Sequence, residues 1–384
     1  MKKLKVMTCL GTRPEIIRLS RVLALLDEHT DHVLVHTGQN WDYELNELFF
    51  EELQVRRPDH FLGVDISSLG AVLGNILIEV EKVLLEEKPD AFLVLGDTNS
   101  AIAAIMAKRM RVPVYHMEAG NRCFDANVPE ETNRRLIDHL ADFNLAYTEH
   151  ARRHLLSEGL EPRRVYVTGS PLCEVFASYK GGIEASVILA EQRLEKGKYF
   201  IVSAHREENV DNPERLGMLL DTLEALAADY QVPVLVSTHP RTRKRIEELG
   251  RENLRGDIRF LKPFGYFDYN RLQRDCLCAL SDSGTISEES AMMDFPAVTL
   301  RQAIERPEAM DTGTITVCGL ESNHVRVAVA ATISMYAAGQ RPEVPADYQV
   351  GNTSQRVLNL ILGTAPQHRA WSNLAMPRGF SRDS

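Results

Sequence analysis

Short apolar runs alternate with stretches of helical period along most of this chain, and no other feature narrows its fold so much. Residues 4–10 read as a buried strand. Residues 14–28 read as a helix carrying Ile16, Ile17, Leu19, Val22, Leu23, Leu25 and Leu26 on a broad apolar face. The next strand is predicted at 32–37. A helix over 71–87 ends before Pro89, and a strand follows at 91–95. Then come a helix at 100–110, a strand at 112–117 and a helix at 129–141 that opens on Pro129. Strand, helix, strand in succession requires crossover connections and hence a parallel sheet. In such sheets ligands collect outside the carboxyl ends of the strands.

The pattern restarts near Tyr199, with strands predicted at 199–203, 232–237, 259–261, 276–280 and 297–300 and a long helix at 214–230. No sequence repeat relates the halves. Two domains suit a chain of 384 residues. The boundary reads at 168–174, giving a first domain over 1–170 and a second over 171–363. The tail at 364–384 is weakly patterned, and Trp371 and Phe380 are its candidate anchors back onto the first domain. With 44% hydrophobic and 26% charged residues, ordinary globular cores are expected. A net charge of −10 argues against nucleic acid or an anionic membrane as the main partner. The six cysteines form no CxxC pair, which fits a reducing compartment better than a disulfide framework or a zinc site. The apolar run at 6–11 is too short for a signal-peptide core, so a cytoplasmic location is expected.

Polar groups recur where the predicted strands end. Gly11-Thr12-Arg13, Gly96-Asp97-Thr98, and His116 with Glu118 follow strands of the first half. His205-Arg206, His239 and the segment 282–289 (DSGTISEE) follow strands of the second. One such Asp is usually a helix cap. The joint pattern points to one crevice lined from both domains. The densest stretch, 116–134 (HMEAGNRCFDANVPEETNR), gathers Glu118, Arg122, Asp125, Glu130 and Glu131. A helix start welcomes carboxylates, so decoration of that helix remains an alternative for the acidic pair. Ser283-Gly284-Thr285 ahead of a helix can present N–H groups and hydroxyls to a phosphate. Glu288 or Glu289, a turn later, suits the hydroxyls of a ribose. Arg13, Arg18, His205 and Arg306 are candidate partners for a diphosphate. Neither GxGxxG nor GxxxxGK[ST] occurs, and no three ligands have metal-site spacing. No cofactor and no metal are expected.

With these residues in view, the chain resembles the UDP-N-acetylglucosamine 2-epimerase family. The blocks that carry the likeness are GTRPEIIRLSRV (11–22), LGDTNS (95–100), HMEAGNRCFD and PEETNR (116–134), HREEN (205–209), DSGTISEE (282–289) and ERPEAMDTGT (305–314). The resemblance implies two Rossmann-like domains facing a cleft, the GT-B arrangement, and inversion at C-2 of a UDP-N-acetylhexosamine. It also implies elimination of UDP, a 2-acetamidoglycal intermediate and re-addition. By matching motif, Asp97, Glu118 and Glu130 correspond to the catalytic carboxylates. His205, counted with them, lies near the diphosphate together with Arg13 and Arg306. Ser283, Gly284, Thr285 and Glu289 match the UDP-binding segment, and Tyr269 the residue whose backbone meets the uracil. A homodimer is implied as well.

The departures from the family pattern carry information. HMEAGNRCFD stands where HxEAGLRT is usual, and TGQNWDYELNE (37–47) differs from the usual TGQH run, which puts an allosteric substrate site in doubt. These variants are similar to the branch that converts UDP-2-acetamido-2,6-dideoxy-L-talose to UDP-N-acetyl-L-fucosamine for capsule, O-antigen and lipopolysaccharide assembly. Asn121, Arg122 and Phe124 are therefore read as the sugar pocket, with the aromatic face as a wall for the 6-methyl group. The chemistry calls for cations on the departing diphosphate and for two acid–base groups on opposite faces of C-2. At least one carboxyl is expected to have a raised pKa. The alternative within the family is UDP-N-acetylglucosamine as substrate, and a GT-B glycosyltransferase and a silent UDP-sugar-binding regulator are the competing readings from other classes.

Overall fold

A computed structural model of the chain describes residues 3–38, 43–302, 304–372 and 374. The chain divides into two compact units, Met1–Ser178 with Gln349–Ser384, and Tyr179–Tyr348.

The first unit is built on strands β1 (Lys5–Leu10), β2 (Asp31–His36), β3 (His60–Phe61), β4 (Ala91–Leu95), β5 (Val114–Met117), β6 (Phe143–Ala146) and β7 (Val165–Val167). They form one sheet in the order β3-β2-β1-β4-β5-β6-β7, with every pairing parallel. The central strands β4 and β5 are buried along their whole length, as unbroken apolar runs require when helices cover both faces. Helices α1 (Arg13–His29), α2 (Leu69–Glu87), α3 (Pro129–Leu140) and α4 (Glu149–Ser157) supply the crossovers. Helices α1 and α3 each begin with Pro near N1, where the missing N–H is harmless. The predicted helix at 100–110 is a 3₁₀ turn over Asn99–Ala103 followed by a short α-helix, Ala104–Arg109. Strands β3, β6 and β7, of two to four residues, are too short to stand out by periodicity.

The chain order reverses between β1 and β4, which neighbour each other in the sheet. That switch point opens a crevice at the carboxyl ends of the two strands. Pairing of Leu95 with Met117 sets the ends of β4 and β5 level, and the Gly96 N–H donates to Met117 O at 2.9 Å.

The second unit repeats the plan with β8 (Phe200–Ser203), β9 (Val234–Ser237), β10 (Ile258–Leu261), β11 (Cys278–Ser281), β12 (Ala297–Thr299) and β13 (Thr316–Val317). Their order is β10-β9-β8-β11-β12-β13, again parallel throughout, so its switch point lies between β8 and β11. Helices α5 (Pro213–Tyr230), α6 (Tyr266–Arg274) and α7 (Ile286–Met293) lie among its crossovers.

The return of the chain to the first unit begins at Gln349, not at 364 as the sequence suggests. The helix Thr353–Thr364 buries Val357, Leu358 and Ile361 in that unit, and its Thr364 hydroxyl lies 2.6 Å from the Tyr115 hydroxyl. His368 packs on the edge of the Phe143 ring, and Arg164 donates to Ser372 Oγ at 3.0 Å. Trp371 remains 45% exposed and is a weak anchor, while Phe380 lies outside the described residues. Among the described residues no helix is long and apolar enough to cross a membrane.

Candidate active site

In the first unit the strand-end carboxylates converge. Glu118 leaves β5 at φ 63°, a left-handed conformation that costs a non-glycine residue roughly 1–3 kcal/mol. The turn aims its carboxylate across Gly96, where a Cβ would stand 3.6 Å from Glu118 Oε2. Buried Arg18, reaching in from α1, donates to that same oxygen, and Asn121 Nδ2 donates to Oε1 at 3.2 Å. Asp97 follows β4. Its Oδ2 lies 2.8 Å from Arg134 Nε, and its backbone oxygen accepts from Asn133 Nδ2 at 2.9 Å. Both partners lie on α3. Glu118 and Asp97 are thus held at neighbouring strand ends by separate cations while their side chains keep 14% and 26% exposure.

The acidic pair that opens α3 divides its work. Glu130 is half-exposed. Glu131 is buried and accepts the Cys123 N–H at 3.1 Å, Arg134 at 2.9 Å and Arg135 at 3.0 Å. Burial pushes its carboxyl up, but the Cys123 and Arg134 hydrogen bonds outweigh it and hold the group below its usual range. Glu131 therefore fastens the loop to the helix and leaves Glu130 as the member turned toward solvent.

Arg122 does not meet the expectation of a sugar contact. Its side chain is fully buried. It donates to Asp138 at 2.6 Å, to Asn121 O at 2.7 Å and to both oxygens of Glu158 at 2.8 and 2.7 Å. A guanidinium so enclosed is a frame for the loop. The Arg122 hydrogen bond, ahead of the upward push of burial, draws the Glu158 carboxyl down to about 2. Asp138 also takes the Gly120 N–H at 3.2 Å and stands 2.9 Å from His116 Nδ1, and His116 Nε2 lies 2.7 Å from Gly96 O. Gly120 itself, at φ 87°, has no room for a Cβ, which would lie 2.3 Å from Ala151 O. Phe124 is 71% exposed and presents its ring edgewise to His154 at 5.5 Å. Arg13 lies over the Phe49 ring, 5.9 Å from its centroid.

In the second unit the buried carboxylate of Asp282 organises the ends of β8 and β11. It accepts the N–H groups of His205 and Arg206 at 3.1 Å and Asn209 Nδ2 at 3.0 Å. The His205 ring is 55% exposed, with Nδ1 3.3 Å from Asp282 Oδ1. The Ser283 hydroxyl lies 2.9 Å from that of Thr285 at the start of α7. Under this turn, Glu305 accepts from Arg301 at 2.8 Å and from Arg206 at 3.2 Å, and Arg306 donates to buried Glu288 at 2.7 Å. A Cβ at Gly284 would lie 2.8 Å from Glu305 Oε2 and 3.5 Å from an Arg306 nitrogen. Glycine thus brings the backbone close to a buried lattice of arginines and carboxylates. Of the two glutamates on α7, Glu289 is the half-exposed one, and it accepts from Gln273 at 2.7 Å. Tyr269, on α6, is half-buried, and desolvation pushes its phenol up.

Sequence reasoning passed over Arg134, Asp138, Asp282, Arg301 and Glu305 as supporting groups, and for Glu131 it leaves the helix start as an alternative. Arg134 stands three residues after Glu131 on one helix, a spacing that signals a pair. For Asp138 with Arg122, and Arg206 with Glu305, no such local signal exists, because folding alone makes the contacts.

Two parallel-sheet α/β domains of the GT-B type, with polar groups at the strand ends of both, mark the class of enzymes that act on nucleotide-linked sugars. The family model for UDP-N-acetylglucosamine 2-epimerase matches residues 24–362, and the chain belongs to that family. It is 34% identical to the UDP-N-acetylglucosamine 2-epimerase of Methanocaldococcus jannaschii, over 93% of this chain and 99% of that one. A crystal structure of the M. jannaschii enzyme in complex with UDP-GlcNAc and UDP matches with a TM-score of 0.87, at 33% identity over 94% of this chain and 100% of that one. The UDP-N-acetylglucosamine 2-epimerase structure from Rickettsia bellii matches with a TM-score of 0.89, at 43% identity over 96% of this chain and 98% of that one. The UDP-2,3-diacetamido-2,3-dideoxy-D-glucuronate 2-epimerase of Pseudomonas aeruginosa is 32% identical over 90% and 99% of the two chains. The protein is an isomerase, an epimerase of UDP-sugars.

Proposed function

We propose that this enzyme inverts C-2 of UDP-2-acetamido-2,6-dideoxy-L-talose to give UDP-N-acetyl-L-fucosamine, without a redox cofactor. The observation that carries C-2 chemistry is the pair Asp97 and Glu118, each on its own arginine at adjacent strand ends. The C-2 hydrogen of a sugar is not acidic. Loss of UDP from C-1 builds positive character there and makes that hydrogen labile. One carboxylate takes the proton, the C-1–O bond breaks with its electrons leaving on UDP, and a C-1=C-2 double bond forms. A second acid returns a proton to the opposite face of C-2 as the UDP oxygen re-adds to C-1. Asp97, Glu118 and Glu130 share these proton transfers, and His205 assists. Arg13, Arg18, Arg306 and the Ser283-Gly284-Thr285 turn hold the diphosphate, Glu289 the ribose, and Tyr269 the uracil by its backbone. Charge developing on the leaving group is what such donors stabilise best.

The sugar assignment rests on the NRCFD variant of the loop after Glu118, where Asn121 donates to the proposed catalytic carboxylate itself. A second reading, UDP-N-acetylglucosamine as substrate, is favoured by the names of the relatives at 34% and 43% identity and by the outward set of Phe124, which weakens the case for a methyl-binding wall. A panel of UDP-sugars assayed for C-2 inversion separates the two. The deoxy-talose reading expects about tenfold or more in kcat/KM over UDP-N-acetylglucosamine, the discrimination available from one hydroxyl-to-methyl difference. Equal or better use of UDP-N-acetylglucosamine overturns it. A cytoplasmic homodimer that supplies capsule, O-antigen or lipopolysaccharide assembly completes the proposal.

A further inference from the structure

The carboxyl of Glu15 has no part in the reaction proposed above, yet it lies where two strand-end loops meet. The side chain is 1% exposed. Its Oε2 accepts the Gly11 N–H at 3.0 Å and the Thr12 hydroxyl at 2.8 Å, both in the loop after β1. Its Oε1 lies 2.5 Å from the hydroxyl of Ser100, which is wholly buried after β4. Ser100 Oγ in turn lies 2.5 Å from Thr98 Oγ1. Thr98 is half-buried and follows Asp97 directly. Carboxyl and hydroxyls thus form an unbroken chain that runs from a sealed interior to the residue beside a proposed catalytic acid.

The direction of hydrogen bonds along that chain depends on one proton. A carboxylate only accepts, whereas a carboxylic acid donates its O–H. With Glu15 ionised, Ser100 donates to Glu15, Ser100 Oγ accepts from Thr98, and the Thr98 hydrogen points inward. With Glu15 protonated, the acid donates to Ser100 Oγ and Ser100 donates to Thr98 Oγ1. The Thr98 hydrogen is then freed from Ser100, on the residue that follows Asp97. We infer that Glu15 is a positioning residue which, through Ser100, sets the direction in which the Thr98 hydroxyl donates. The consequence for turnover rests on the proposal that Asp97 is catalytic.

Both states are accessible near neutrality. Burial pushes the Glu15 carboxyl up to about 7, against the lowering effect of its bonds to Ser100, Thr12 and Gly11. The other ionisable group facing it is the buried Cys9 thiol on β1, pushed up by its own burial and by Glu15. Among the described residues no cation is paired with Glu15.

Two measurements on the full chain test this. Infrared difference spectra across pH should show a protonated-carboxyl band lost as pH rises through about 7; Glu15→Gln should lack it. Ser100→Ala should move the band's midpoint upward, because it removes a donor to the carboxylate. An unmoved midpoint overturns the relay, and this arm needs no substrate. In the second arm, kcat/KM on whichever UDP-sugar is turned over should step by about two- to tenfold through the same pH, the worth of one hydrogen bond. Glu15→Gln copies the acid, since its amide donates to Ser100 Oγ while its carbonyl accepts from Gly11 and Thr12. It should therefore lie on the wild type's low-pH plateau without that step. Thr98→Val should lose the step and keep the band, and it decides the matter alone if Glu15→Gln does not fold. A step that survives Thr98→Val, or no step in the wild type, overturns the inference. Failure of the epimerase reading would appear differently, as no turnover with the infrared behaviour intact.

Discussion

Glu130 and Glu131 stand side by side at the start of α3, and their variants should part company. Glu131 holds the Cys123 N–H and two arginines, so Glu131→Gln should lower the melting temperature more than it lowers turnover. Glu130→Gln, together with Asp97→Asn and Glu118→Gln, should cut kcat about a hundredfold or more, the usual loss for an acid–base group, while UDP-sugar binding survives better. Near-wild-type turnover in any of those three removes it from the catalytic set. Arg122→Met leaves Asp138 buried beside His116 without its strongest cation. It should destabilise the fold by roughly 3–5 kcal/mol in denaturant unfolding. A change under about 1 kcal/mol would return Arg122 to the surface role seen for exposed pairs. At this scale the sequence made residue types legible but not their partners. Asp97 and Glu118 stand out because polar residues end apolar runs. Arg122 reads as a sugar contact in the sequence because the NRCFD variant follows Glu118 closely, whereas Asp138 and Glu158 reach it only through folding.

The loops after β1 and β4 carry Arg13 and Asp97 of the proposed site, and Glu15 couples them. Its carboxyl is raised in the folded chain, so the folded state binds the proton more tightly than the unfolded state does. The stability this contributes is full below the unfolded value of 4.5 and is lost as pH rises through about 7. The span corresponds to on the order of 3 kcal/mol. Stability of the wild type relative to Glu15→Gln should therefore fall between those limits and level off above; a flat difference contradicts the raised carboxyl. Glu158 works in the opposite sense. Its carboxyl is held down to about 2, so its stabilisation is present above 4.5 and lost as pH falls through about 2. In the second unit, Gly284→Ala would press a Cβ onto Glu305, which two arginines hold in place. UDP affinity by calorimetry should drop by about tenfold, or roughly 1.4 kcal/mol. The helices read at 129–141 and 286–293 were legible to within a residue, as α3 and α7, whereas the longer helices Leu172–Ala185 and Ser322–Ala337 were not read. Strands β3, β7 and β13 were not, because two or three residues carry no period and their pairing is set by the neighbouring strand.

Two parallel sheets each have a switch point that carries its own polar loops, and the proposal divides the work between them, with acids on the first sheet and anion-binding turns on the second. Strand polarity was readable from the alternation of runs, since repeated strand–helix units call for crossovers and a parallel sheet, whereas the strand order was not. The return of the chain at Gln349 was not, because the helix Thr353–Thr364 looks like any amphipathic helix and only its buried face ties it to the first unit. The proposed homodimer predicts a light-scattering mass near twice 43.2 kDa at micromolar concentration, and a 43.2 kDa species alone would count against it. The central claim is that the acids of the first unit work on C-2 of a UDP-sugar with no acceptor present. Incubation with UDP-2-acetamido-2,6-dideoxy-L-talose in deuterated water, followed by proton NMR, reads it directly. The account predicts deuterium at C-2 and the appearance of the C-2 epimer, with both lost in Glu118→Gln. A UDP-sugar recovered with its C-2 hydrogen intact, from this sugar and from UDP-N-acetylglucosamine alike, would contradict it.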